Sequence, residues 1–400
     1  MEPLLIMVLL VIPGILAWAF QALSVRGAVR EASVPGDYAA DLPPISILKP
    51  LRGLDDNLFQ NLESFCRLDY PRYEILFCLQ HQNDLARRVV QKIIEKYPER
   101  ELRIIIEPCT AGLNPKVNNL IPAYRASSYE HILISDSNVS VRPGYLREIV
   151  RRIGDPSVGL VSNLIRGRGG RTLGSLFENL HLNSFVMGSV CFLDRFMHTP
   201  CVIGKSMLMR KKDLEAVGGL RAFKDVLAED YIIGRQMHRQ GKKVVLSSHM
   251  IDNVNDYWSI GRFLNRHTRW GKLRWQIGGF RYLSEILTNA VFMSWIPTLI
   301  WGASAPTLAF GLSVSALKSL YDFLLGRRIG SDLATGAYLL SPLKDLVIGI
   351  IWFVPMLSSS VEWRGNRYLI GKDSRLSPVP VSIRPSLRHR LTAVIRARLA

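Results

Sequence analysis

Apolar residues run through the first third of the chain in short blocks set between helical patterns. ISIL (Ile45–Leu48) reads as a strand, followed by a turn at Gly53 and a helix near Asn57–Arg67. YEILFCL (Tyr73–Leu79) is a second strand, and Asp84–Tyr97 is an amphipathic helix ended by Pro98. LRIIIE (Leu102–Glu107) gives the third strand. A loop with Gly112 and Pro115 leads into a helix around Val117–Ala126, and HILIS from His131 is the fourth strand. Alternation at this spacing predicts an α/β fold with a mostly parallel sheet and helices on both faces. Ligands gather at the carboxyl ends of the strands in such sheets. That places Lys49, Gln80–Asp84 and Asp136 on one edge.

Both ends of the chain follow another pattern. Leu4–Leu23 carries no charge, and about 20 apolar residues span a bilayer core. The basic residues Arg26 and Arg30 come after this run, unlike those of a cleaved signal peptide. An uncleaved anchor is expected, with the following domain in the cytoplasm. Ile286–Trp301, Leu308–Leu325 and Leu346–Leu357 are further apolar stretches, interrupted by Pro297 and Pro306. A basic pair at Arg327–Arg328 and a basic tail favour a hairpin followed by a re-entrant or interfacial segment, with three full spans as the alternative. The expected division is an anchor over 1–25, a linker over 26–44, a catalytic domain over 45–285, membrane helices over 286–362 and a basic cytosolic tail over 363–400.

Composition fits an integral membrane protein: 48% of the residues are hydrophobic. The five cysteines show no paired spacing, which suits reduced thiols and argues against a zinc site or disulfide framework. A net charge of +18 calls for anionic partners. With anchors present, these are expected to be lipid headgroups and a nucleotide diphosphate. No nucleic-acid partner is expected, since no such signature appears.

Four clusters carry candidate chemistry. Asp84 lies just past the second strand, where it could instead cap the helix that follows. Asp136 and Asn138, two residues apart at a strand end, offer hard oxygens to Mg²⁺ or Mn²⁺. Glu229 and Asp230 open a helix whose dipole favours carboxylates, and one could serve as a general base. Arg266 and Arg269 in RHTRW share a helix face and suit phosphate oxygens, although a basic interfacial helix would look alike.

In this order the clusters resemble processive-type family 2 glycosyltransferases of the GT-A fold, and more closely the ceramide glucosyltransferases. The likeness extends through ISILKPLRG, NPKVNNL, ISDSNV, VIGKSMLMRKKDLEAVGGL, LAEDY, RHTRWGKLR, SPLKDL and VEWRGNRY. It implies that Asp84 contacts the uridine of the donor, with Lys49, Lys116 and Asn118 also on the donor side. Asp136 and Asn138 would hold the divalent metal, and Asp230 would deprotonate the acceptor hydroxyl. Arg266, Arg269 and Trp270 would bind the leaving diphosphate and line the acceptor side. His181 and Glu229 would stand near the acceptor, against a plain packing role for His181. Two departures stand out: His81, Gln82 and Asn83 precede Asp84 where the family is more often acidic, and the metal triplet ends in Asn138.

The function implied is inverting transfer of a hexose, glucose from UDP-glucose, to the primary hydroxyl of ceramide at a membrane surface. The alternative is N-acetylglucosaminyl transfer from UDP-GlcNAc to another lipid alcohol such as a hopanoid. Processive polysaccharide synthesis would need more membrane helices. A dead scaffold would be expected to have lost Asp136, Asp230 or Arg269.

Overall fold

The computed structural model describes residues 2–33, 42–363 and 365–379. Part of the expected linker (34–41) and the basic tail from 380 onward lie outside the described residues. The chain enters as α1 (Glu2–Ala32) and then builds β1 (Ile45–Pro50), α2 (Leu58–Cys66), β2 (Tyr73–Leu79), α3 (Ala86–Lys96), β3 (Glu101–Ile106), α4 (Pro115–Ala126) and β4 (His131–Ile134). A short β5 (Val139–Ser140) precedes α5 (Tyr145–Ile153) and the long β6 (Val158–Arg168). Next come α6 (Leu173–His181), α7 (Met187–Met197), β7 (Met207–Arg210), α8 (Lys211–Ala216), α9 (Glu229–Arg239) and β8 (Lys243–Val254). Helices α10 (Ile260–Gly278), α11 (Ala290–Trp301), α12 (Ala305–Arg328), α13 (Ser341–Ile351) and α14 (Val354–Leu357) follow. The described chain closes with β9 (Ser360–Trp363), β10 (Asn366–Ile370) and β11 (Leu376–Pro378).

The main sheet has the order β3-β2-β1-β4-β7-β6-β8-β5. Its first four strands are parallel, as the alternating pattern predicts. Beyond β4 the sheet is mixed, with β7 antiparallel to both β4 and β6. Side chains alternate across β1, β2 and β4. Ile45, Ile47, Ile75, Phe77 and Leu133 pack on the face carrying α2, α3 and α5. Leu48, Leu76, Ile132 and Ile134 pack on the other face, against α4 and α9. Both faces are buried, which is why these strands read as unbroken apolar runs.

Among the described residues, three helices are long and apolar enough to cross a membrane: Pro3–Ala32, Ala305–Arg328 and Thr335–Leu357. A further pair, Ile260–Thr288 with Ala290–Trp301, is bent by 74° and passes the same test only as a unit. Helix α1 does not end at the anchor boundary but continues to Ala32, into the stretch expected as linker. Its Val25 and Ala28 pack with Leu164, Met187 and Met250, so burial rather than a loop follows the membrane run. Further back, Gly14 lets α1 approach α11, since a Cβ there would lie 2.6 Å from Ala290 Cβ.

The expected tail also starts later. Alternating apolar residues Val361, Trp363, Tyr368 and Ile370 build the strands β9 and β10, and with β11 these form a three-stranded antiparallel sheet. This sheet docks beside the start of α9: the Leu227 amide donates to Ser374 O at 2.9 Å and the Leu376 amide to Asp225 O at 2.7 Å.

Candidate active site

The carboxyl end of β4 delivers Asp136 to the rim of an open cleft of about 1100 Å³, and the end of β1 sets Lys49 beneath it. Asp136 is the hub of this rim. Lys116, on the first turn of α4, reaches Asp136 Oδ1, Glu229 Oε1 and the Gly204 carbonyl, each at 3.0 Å. Lys205 places Nζ 2.9 Å from Asp136 Oδ2 and 2.6 Å from Asn138 Oδ1. Lys49 is fully buried beneath, donating to the Asp136 carbonyl at 2.7 Å. Burial alone would raise the Asp136 carboxyl, but Lys116 and Lys205 hold it far below the usual carboxylate range. Burial pulls Lys49 well below the usual lysine range. For Lys116 the neighbouring Asp136 and Glu229 outweigh burial and push it up.

Asp230 faces the same cleft from the N-terminus of α9. Its Oδ2 accepts from the Gly204 amide at 2.8 Å and its Oδ1 from the Tyr231 amide at 2.8 Å. Gly204 permits this approach, because a Cβ would lie 2.5 Å from Asp230 Oδ2. Burial, and then the charge of Glu229, push the Asp230 carboxyl up to about 6. Glu229 itself points away, to Lys116 and to the Asn114 side-chain amide at 3.1 Å.

The far wall comes from α10. The Arg266 guanidinium lies 3.2 Å from the fully buried Glu178 and stacks 4.3 Å from the Trp270 ring and 5.1 Å from the Trp258 ring. Arg269 stands over the Trp363 ring of the C-terminal sheet at 5.9 Å. Arg266, Arg269, Trp270 and Trp363 all line the cleft, together with Lys116, Asp136, Asn138 and Asp230.

Other expected residues lie elsewhere. Asp84 accepts from the Gly53 amide at 2.9 Å and the Ala86 amide at 2.9 Å. It therefore caps α3 and fixes the Gly53 turn, and the cleft lining does not include it. Both ends of the Asn118 amide pair with the Gly112 backbone, at 3.0 and 2.7 Å, and so pin the loop before α4. His181 is buried in a second cavity shared with Trp18, Lys318 and Trp352. There it stacks on Phe185 at 5.0 Å and meets His267 edge-on at 4.5 Å. Lys205, Glu178, Gly204 and Trp363 were not among the expected residues. The glycine–lysine pair in VIGKSM and the lone carboxylate inside the apolar FENLHLNSF are the signals that could have marked the first three.

The chain matches the description Glycosyl transferase family 21 over residues 6–376. It belongs to that family. The family 21 chain is a sugar-transferring enzyme. It is 29% identical over 376 residues to ceramide glucosyltransferase 3 of Caenorhabditis elegans, covering 91% of this chain and 79% of the relative. Ceramide glucosyltransferase 1 of the same nematode is 29% identical over 358 residues, covering 84% and 73%. Among solved structures, the mannosyltransferase PcManGT of Pyrobaculum calidifontis, in complex with GDP-Man and Mn²⁺, matches with a TM-score of 0.53. The match covers 86% of this chain and 99% of that one at 17% identity, and supports the α/β GT-A fold alone.

Proposed function

We propose that this family 21 enzyme transfers glucose from UDP-glucose to the primary hydroxyl of ceramide, with inversion at the anomeric carbon. One observation carries the reading: a single cleft holds a half-buried carboxylate of raised pKa, Asp230, together with the Asp136–Asn138 edge and the guanidiniums of α10. The cleft also reaches Ile277 and Glu285, on the bent helical pair that leads into the membrane helices. A lipid acceptor can therefore present its hydroxyl without leaving the bilayer.

Asp230 takes the proton of the acceptor hydroxyl. The acceptor oxygen bonds to the anomeric carbon as the bond to the diphosphate breaks on the opposite face, and the electron pair leaves with UDP. Arg266 and Arg269 meet the charge that develops on the diphosphate, where fixed cations in a dry site act most strongly. Asp136 and Asn138 fit a divalent cation, since Mg²⁺ is commonly held by one or two carboxylates with substrate phosphates completing its shell. Bound there, Mg²⁺ or Mn²⁺ supplies positive charge to the diphosphate. Asp84, through the Gly53 turn, and Asn118, through the Gly112 loop, shape the donor side. Arg26 and Arg30 at the catalytic end of α1 support a cytoplasmic orientation, and the net charge of +18 suits an anionic lipid surface.

The test is product identification by mass from enzyme in mixed micelles with Mg²⁺ or Mn²⁺. UDP-glucose and UDP-N-acetylglucosamine are each offered with ceramide and with a hopanoid alcohol. Hexosylceramide is the expected product. An N-acetylhexosaminyl hopanoid would replace both substrates and leave the site roles intact, while no product from any pair would overturn the enzymatic reading.

A further inference from the structure

Three oxygens define the Asp136–Asn138 edge, and each already accepts from an ammonium. Asp136 Oδ1 belongs to Lys116, while Asp136 Oδ2 and Asn138 Oδ1 share Lys205 Nζ at 2.9 and 2.6 Å. Lys205 therefore stands between the two side chains that fit a divalent metal. The three lysines around Asp136 are not held alike. Lys49 is enclosed under the strand ends, and Lys116 is fastened by two carboxylates and a carbonyl. Lys205 lines the cleft and follows Gly204 in the irregular stretch before β7. It alone has both its prescribed partners on the metal edge and open space beside it.

We propose that Lys205 is the resident cation of the donor site. It neutralises Asp136 and occupies Asn138 in the donor-free enzyme, and yields them to a metal when a nucleoside diphosphate arrives to receive its ammonium. The reading rests on the donor site assigned above. An ammonium and a metal ion cannot both coordinate the same oxygen pair, and a bare divalent ion would face Lys205, Lys116 and Lys49 together. A diphosphate supplies the negative charge that makes both cations welcome. Metal and nucleotide are then expected to bind cooperatively, and the nucleotide to retain measurable affinity without metal.

The test measures Mn²⁺ binding by electron paramagnetic resonance and UDP binding by calorimetry, on full-length enzyme in detergent. Wild type is expected to bind Mn²⁺ weakly alone and at least about tenfold more tightly with UDP, the lower range of ordinary site-to-site coupling. Lys205→Met should bind Mn²⁺ more tightly than wild type without nucleotide, and should lose about tenfold in UDP affinity in the presence of EDTA. Lys205→Gln should repeat that pattern, and Lys205→Arg should keep the wild-type UDP affinity in EDTA. Unchanged Mn²⁺ and UDP affinities in folded Lys205→Met and Lys205→Gln would overturn the proposal while leaving the donor site in place. Failure of wild type to bind UDP under any condition would instead overturn the donor-site reading itself.

Discussion

At the scale of single residues, the proposed transfer turns on how Asp230 is held. Burial and Glu229 raise its carboxyl to about 6, so the group is protonated below that pH and ionised above it. A base must be ionised to accept a proton. Turnover is therefore expected to rise with pH up to about 6 and then level off, read from kcat/KM across pH 5–8. Asp230→Asn should lose about 10²–10⁴-fold in turnover while still binding UDP; an active variant, or a flat profile in the wild type, would remove the assignment. Asp136, Asn138 and Asp230 are legible in the sequence because each lies at the end of a strand or the start of a helix, where local pattern gives the position. Lys205 is not legible in that way. Its partners are Asp136 and Asn138, and nothing in the periodicity of VIGKSM says which strand end lies opposite.

Among the elements, α10 shows what a helical motif owes to its neighbours. The spacing of RHTRW puts Arg266 and Arg269 on one side of a helix, but Glu178 on α6 holds Arg266 in place. The same carboxylate lies 2.9 Å from His267 Nε2. Removing its charge leaves Arg266 between two indoles without its counter-ion. Glu178→Gln is expected to lower kcat/KM by about 10²-fold, the scale of an ångström-sized misplacement, in single-substrate kinetics with UDP-glucose; an unchanged value would show that the indoles suffice. The parallel strands were readable for a simple reason: burial on both faces leaves an unbroken apolar run. The mixed half of the sheet was not, since β7 pairs antiparallel with strands that lie far from it in sequence. The continuation of α1 was hidden in the same manner, because Arg26 and Arg30 look like the end of a membrane run although Val25 and Ala28 still pack inward.

For the whole molecule, the membrane helices are joined by charge as well as by apolar packing. Lys318 and Asp322 of α12 pair at 2.8 Å, and Lys344 and Asp345 of α13 at 2.6 Å. A cross-link from Lys318 to Asp345 at 3.6 Å ties the two helices together. Removing one member leaves a buried charge uncompensated, which costs about 3–5 kcal/mol. Asp322→Asn should therefore melt at a clearly lower temperature in detergent, and an unchanged melting curve would show the cluster to be solvated. The C-terminal sheet closes the assembly. Trp363 lines the cleft beside Arg269, and Ser374 and Leu376 hydrogen-bond the backbone just before α9. This wall of the cleft is made by a segment that leaves the ribosome only after α11, α12 and α13. The nascent chain thus cannot complete its own cleft until those helices have been synthesised. A chain stalled before that point has its cleft with one side still open.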